Sequence, residues 1–400
     1  MRIALSISTI ILVAGITAAS SVAPYSAFAQ HIAELSPMSA MAEVADLSAG
    51  GPPASTDVVK KIAEFSEVPK DSFFVGGIEF SPDDSELLTS PVVAQDDVHV
   101  WHWRDEPKLL DRSAWPTPCP GGQAALNLCP NTRNLLAASA DGLLWAFARA
   151  PIGAAGRHKA IRVFDAQTGA VVHDFFESHG NDGAMAIAFS PDGKLFVQAV
   201  WRGSGKSNEL LVYRTDTWAL VQSLLIRPFT PRALAISPDS QRAAVAGDVW
   251  TPNPEPQIVI VNLKDGTVVR TIDQPFPDKN EIHSLAWSCD GTALVAGTVI
   301  YGAPLGTDVV KVFDPKSGTQ VRAESADSAN VTTMRCSPDG RYLVEAAING
   351  SVRIWDAQHT SLLQKIEIRK GPRYVFFGIS RDSRYLAISD MDQISVWEFL

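Results

Sequence analysis

Cysteine is scarce, with four in 400 residues, too few for a small scaffold held by a dense disulfide framework. Basic residues are outnumbered: Lys+Arg 34 stand against Asp+Glu 44, for a formal charge of −10. Phosphate contacts need a basic stripe, so this balance argues against a nucleic-acid binder. Beyond the first thirty residues no apolar run approaches the ~20 residues that span a bilayer. Paired C-x-x-C, C-x-x-C-H, H-E-x-x-H and G-x-S-x-G patterns are missing, as is a phosphate-binding glycine loop. No zinc, haem, metalloprotease, hydrolase or nucleotide chemistry is therefore signalled, and no cofactor or metal is expected. His99 and His102 are three apart on an apparent strand and face opposite sides. His173 and His179 straddle a junction between units, where solvated loop histidines are the ordinary reading. What is plentiful is apolar residues, at 46%, enough for a large core and too many for a disordered chain.

The N-terminus reads as an address. Arg2 precedes an apolar stretch from Ile3 to Ile16, and Ala27-Phe28-Ala29 before Gln30 is an A-x-A cleavage pattern. Residues 1–29 are read as a signal peptide cleaved between Ala29 and Gln30. The rival, an uncleaved anchor, asks for a longer apolar run. The mature protein is expected to be periplasmic or secreted, without a membrane span. Residues 30–56, ending in Gly50-Gly51-Pro52-Pro53, read as a flexible linker.

From residue 76 onward one unit recurs. Its mark is a turn: Ser81-Pro82-Asp83-Asp84, Ser190-Pro191-Asp192-Gly193, Ser237-Pro238-Asp239-Ser240, Ser288-Cys289-Asp290-Gly291, Ser337-Pro338-Asp339-Gly340 and Ser380-Arg381-Asp382-Ser383. A degenerate copy, Cys129-Pro130-Asn131, fills the one long interval. Ser then Pro suits a type I turn, Gly suits its end, and such a turn joins antiparallel strands. One and three positions before each turn stand apolar residues, such as Phe189 and Ile187, or Trp287 and Leu285. That alternation belongs to strands. A second turn follows Asp165 and Asp314, and a strand of the same kind ends at Asp356.

The segment Gly350-Ser351-Val352-Arg353-Ile354-Trp355-Asp356, with the Ser-Pro-Asp-Gly turns, resembles the WD-repeat β-propeller family. The likeness covers residues 57–400. Only one copy has Trp-Asp, and the family's Gly-His dipeptide is absent, so its buried His–Ser–Asp–Trp network is not available here. Exported bacterial WD-repeat and YVTN-like propellers look closer. The resemblance implies an all-β, seven-bladed β-propeller of four-stranded antiparallel blades. The seventh unit ends at Leu400 without a fourth strand. Asp57-Val58-Val59-Lys60-Lys61-Ile62 resembles the fourth strands elsewhere, so an N-terminal strand is expected to close the ring and remove its open edge.

Two candidate sites emerge. In the family's topology the loop between strands two and three lies on the top face. Four units have long versions, at 141–159, 201–209, 248–257 and 299–308. Each begins near an aromatic: Trp145, Trp201, Trp250 and Tyr301. Arg149, Arg157, Arg202 and Lys206 are nearby. Aromatics and Arg anchor interfaces, and loops on a rigid scaffold carry binding. The competing reading is that these aromatics only cap neighbouring blades. The second candidate is the channel. Two positions before the turn most units have Ala or Gly, but Glu79, Asn127 and Arg335 are exceptions. They either hold a polar ligand or form local hydrogen bonds or an ion pair, and the latter is favoured. Cys119 and Cys129 bracket one strand, ~17–20 Å apart. Cys289 lies in a turn and Cys336 at a core position. No well-defined disulfide is expected.

The composite expectation is a non-enzymatic, exported, monomeric ring. It would bind a protein or peptide partner of the cell envelope through its top-face loops. The alternatives are a propeller enzyme, such as a lactonase-like hydrolase or amine-dehydrogenase-like subunit, and a structural component of an envelope assembly.

Overall fold

The computed structural model describes residues 57–65, 75–91, 99–104, 108–110, 135–149, 160–175, 183–202, 208–226, 229–249, 255–273, 281–299, 308–325, 331–347, 349–368, 375–390 and 393–400. The signal-peptide and linker readings fall outside them, as do Asn127, Arg157, Lys206, Trp250, Tyr301, Cys119 and Cys129. The described residues form seven four-stranded antiparallel sheets, each in chain order except one. The first strands of neighbouring sheets touch one another, so they are the inner strands of a seven-bladed propeller. Among the described residues no helix is long and apolar enough to cross a membrane.

The exception is blade 7. Val59–Phe65 lies beside Gln393–Phe399, followed by Tyr385–Asp390 and Val375–Ile379. Val59 opposes Phe399 and Phe65 opposes Ile394. The first and last described strands thus share one sheet, as the repeat pattern requires. Gln364 of blade 6 secures the incoming strand. Its Oε1 accepts the N–H groups of Val58 and Val59 at 2.6 and 2.8 Å, and its Nε2 donates to the Val59 carbonyl at 3.2 Å.

The serine-led turn is built alike in all seven blades. Its hydroxyl donates to the Asp two residues on, from Ser81 to Asp83 (2.7 Å) through Ser190 to Asp192 (2.6 Å) to Ser380 and Asp382 (2.7 Å). The same oxygen accepts the N–H five residues on, as Leu195 N to Ser190 Oγ at 2.9 Å. The fourth turn residue is left-handed, with φ between 57° and 74°. Gly fills it in four blades. Where Asp84, Ser240 and Ser383 take its place, each side chain accepts an N–H from the preceding blade: Arg381 (3.2 Å), Asp192 (3.1 Å) and Asp339 (2.9 Å). These bonds offset the strain of a left-handed non-glycine residue.

Blade 2 corrects the repeat count by ten residues. Its inner strand is Leu135–Ala138, and its turn is Ser139-Ala140-Asp141-Gly142, with Ser139 Oγ to Asp141 Oδ1 at 2.5 Å. The Cys129-Pro130-Asn131 segment is not that turn. The true turn has the Ser and the Asp two residues on that mark the other copies, and the Gly of several, whereas Cys129-Pro130-Asn131 shares only the proline. Only Ser, Asp and the left-handed Gly142 are needed for the hydrogen bonds.

Each joint between blades has its own apolar cluster. Leu88, Val100, Trp145 and Ala166 fill the joint of blades 1 and 2. Val310, Val312, Met334, Leu343 and Trp355 fill that of blades 5 and 6. Strands buried on both faces therefore read as nearly continuous apolar runs. The outer strands keep one face in water and expose residues such as Val268 and Val321.

Candidate functional site

Consecutive antiparallel strands place the serine-led turns at one end of every blade, together with the turns between third and fourth strands. The loops between second and third strands lie at the other end. Five inner strands are bulged near this loop end, with register shifts at Val75/Gly77, Ala184/Ala186, Pro231/Ala233, Ile282/Ser284 and Val331/Thr333. A bulge bends its strand and re-aims a side chain. The bulges fall on Met185, Arg232, His283 and Thr332 in four successive blades, all half-buried. Thr332 bridges two blades there, donating to either the Ala346 or the Val375 carbonyl at 3.2 Å. The sequence reading missed these residues, because each extra residue falls near the start of its strand, where too little alternation precedes it to show a shift.

Of the loop-face candidates, Trp201 ends the second strand of blade 3 and is half-buried opposite Gly183. Arg202 follows it. Its N–H donates to the Asn208 side chain (2.9 Å), and its guanidinium pairs with Glu209 at 2.7 Å. Arg202 therefore ties the two ends of the 203–207 loop together. Arg149 ends the second strand of blade 2, opposite Ala160, at the loop end. Trp145 does not belong here. It opposes Ala138 beside the Ser139 turn, at the other end of its strand, and is 1% exposed in the joint of blades 1 and 2. The ten-residue shift in blade 2 explains its displacement.

In the channel, Glu79 and Arg335 meet directly. Arg335 Nη1 and Nη2 donate to the two Glu79 oxygens at 2.8 and 2.6 Å. The pair joins blades 6 and 1, which are not neighbours, across Gly378 of blade 7. A Cβ on Gly378 would lie 2.5 Å from the Ile78 carbonyl oxygen. Glu79 keeps 5% of its side-chain surface and Arg335 41%, so only the arginine faces the channel. Burial lowers the Arg335 pKa, but the charge and hydrogen bonds of Glu79 outweigh that and raise it. The ion-pair reading of these two exceptions thus has a direct geometric basis. In blade 2 the corrected register puts Ala137, not Asn127, two positions before the turn.

A polar network the sequence did not announce lies inside the joint of blades 5 and 6. Glu345 and His359 are fully buried, and His359 Nε2 is 2.8 Å from Glu345 Oε1. Arg353 Nε lies 2.9 Å from Glu345 Oε2. Arg322, on the outer strand of blade 5, places Nη2 2.8 Å from His359 Nδ1. A guanidinium only donates, so Nδ1 accepts and the imidazole proton sits on Nε2, facing the carboxylate. Trp355 packs on the imidazole, with ring centroids 4.2 Å apart. Burial pushes the Glu345 carboxyl up, but the Arg353 charge and the His359 hydrogen bond hold it below the usual range. The available signal was a lone acid within the apolar strand Leu343-Val344-Glu345-Ala346-Ala347.

Cys289 and Cys336 form a disulfide, with Cα atoms 5.6 Å apart. This overturns the expectation of none. A turn residue and a core residue are distant within one blade, but adjacent blades bring them together. Among the described residues no group of His, Cys, Asp and Glu has metal-ligand spacing.

The family described as "WD domain, G-beta repeat" matches residues 318–356, from the outer strand of blade 5 to Asp356. Together with the seven-bladed fold, this match supports a WD-repeat propeller. The chain is 28% identical over 124 residues to human "WD repeat-containing protein 36", covering 30% of this chain and 14% of that protein. It is 20% identical over 301 residues to human "Cilia- and flagella-associated protein 52", covering 67% and 43%. A third relative, "Transcription initiation factor TFIID subunit 5" of Caenorhabditis elegans, is 32% identical over 80 residues, covering 20% and 12%. The chain thus spans less than half the length of each of these relatives. All three relatives are eukaryotic, so they lend no support to a kinship with exported bacterial propellers.

Proposed function

We propose that this WD-repeat propeller is a non-enzymatic scaffold that binds a protein or peptide at its loop face. The observation that supports this most is the run of bulged inner strands at that end, beside half-buried Trp201 and the loop tied by Arg202. Rigid strands there carry four successive irregularities, as suits a surface shaped for recognition. Trp250 and Tyr301 complete the proposed surface from their places in the sequence.

We further propose that the protein is exported, with cleavage after Ala29, and acts as a monomeric ring in the cell envelope or outside the cell. The Cys289–Cys336 bridge supports an oxidising compartment, since structural disulfides persist there and are rare in reducing ones. N-terminal sequencing of the protein from fractionated cells tests this. Gln30 as first residue, in an envelope or secreted fraction, is expected. An intact Met1 in the cytosol refutes it.

Binding is tested by affinity capture with the mature protein and a Trp201→Ala, Trp250→Ala, Tyr301→Ala variant of equal thermal stability. The wild type is expected to retain a protein partner that the variant loses. Equal capture by both removes the loop face from the proposal.

A further inference from the structure

Among the described residues, the joint of blades 5 and 6 holds both a buried network of charged side chains and the disulfide. The joint's apolar cluster is flanked by the buried carboxylate, imidazole and guanidinium groups of Glu345, His359 and Arg353. Such groups are stable out of water only while paired, and a partner displaced from the network leaves an uncompensated buried charge. Water entering an apolar joint is opposed by the hydrophobic effect. Here a displaced charge takes up water in place of its lost partner, so a joint whose partners have been shifted closes less readily than an apolar one. The disulfide stands at this same joint.

The bridge reaches the network through a short path. Cys289, in the first turn of blade 5, donates its N–H to the Ala357 carbonyl in the second turn of blade 6, at 2.9 Å. The neighbouring Gln358 side chain hydrogen-bonds Asp290. The next residue is His359, held left-handed at φ 60° between Glu345 of its own blade and Arg322 of blade 5. Cys336 anchors the other end of the bridge on the inner strand of blade 6. Both cysteines are half-buried rather than fully enclosed.

We propose that the Cys289–Cys336 disulfide makes this joint a thiol-controlled seam. While the bond stands, the 357–359 turn is locked and His359 stays between Glu345 and Arg322. A dithiol attacks one of the two sulfurs as its thiolate, forming a mixed disulfide and freeing the other cysteine. The reagent's second thiol then displaces the first cysteine. The chain gains two electrons and two protons as two thiols, and the reagent leaves as its cyclic disulfide. The Cys289 turn then relaxes, the turn bearing His359 opens, and the other joints stay closed.

Amide hydrogen exchange on the mature protein tests this, before and after reduction with dithiothreitol and alkylation. Peptides covering 286–293 and 354–361 are expected to exchange about tenfold faster after reduction, with those covering 196–200 and 243–247 within roughly twofold. A Cys289→Ser, Cys336→Ser variant, which keeps Cys119 and Cys129, is expected to match the reduced protein and to show no further response to dithiothreitol. Complete reduction with no change in the two seam peptides overturns the proposal. So does equal acceleration in every blade, because the bridge would then hold the whole ring rather than one seam.

Discussion

Arg335 grips Glu79 with both terminal nitrogens, at 2.6 and 2.8 Å, across the glycine of the blade that separates them. The ring is closed twice at this place. From the channel, the ion pair spans blade 7 between its neighbours. From the outside, Gln364 holds the strand that completes that blade.

Removing Arg335 leaves a buried carboxylate without its partner. Arg335→Met is expected to lower stability by about 1–3 kcal/mol, the low end reflecting the arginine's exposure to the channel. A Glu79→Gln, Arg335→Met double variant is expected to lose less than the single one. Urea denaturation of both decides it. Gly378→Ala is expected to cost about 1–3 kcal/mol as well, since its new methyl meets backbone that cannot turn aside.

Gln364→Ala removes the acceptor of two N–H groups and a donor. A loss of about 1–2 kcal/mol is expected. Deleting residues 57–62 takes away most of the closing strand, leaving the edge of Gln393–Phe399 open. That protein is expected to lack a cooperative thermal transition, as followed by circular dichroism.

Trp145 and Trp201 separate core from surface. Trp145→Ala empties the joint of blades 1 and 2 and is expected to cost about 3–5 kcal/mol. Trp201→Ala is expected to stay within about 1 kcal/mol of wild type while weakening capture of a partner. Melting curves and capture, measured side by side, distinguish the two.

Acid should destabilise the ring through its turns. Asp83, Asp192, Asp239 and Asp290 are pushed up by partial burial, but hydrogen bonds from serine hydroxyls and backbone N–H groups hold them below the usual value. In Asp165 and Asp314 the hydrogen bonds dominate outright. Asp216, hydrogen-bonded to Arg214, falls to about 2. A carboxyl whose folded pKa is depressed stabilises fully above its unfolded value, and that stability is lost as pH falls through the folded one. The melting temperature is therefore expected to fall between about pH 5 and pH 2. Asp84 runs the other way, because burial raises it. Replacing Asp192 by Asn is expected to flatten the profile slightly.

Local chemistry along the chain sets the repeat, the strands and the closing segment. Those features are local: Ser and Asp two residues apart make the turn's hydrogen bonds, and two-residue alternation marks each strand. Blade 2 is displaced by ten residues although its turn, Ser139-Ala140-Asp141-Gly142, keeps the bonding residues, because so short a pattern does not say which copy ends an inner strand. The sites depend on which strands become neighbours, and no local pattern states that. Glu79 and Arg335 are far apart in the chain and meet only because the ring brings blades 6 and 1 within one arginine of each other. Cys289 and Cys336 look incompatible within a single blade and pair across two. Glu345 and His359 find each other because a tight turn folds back over a second strand, and Arg322 joins them from the next blade. Turn chemistry is read along the chain, while ion pairs, the disulfide and the buried network are set by distances between blades that only closure of the ring creates.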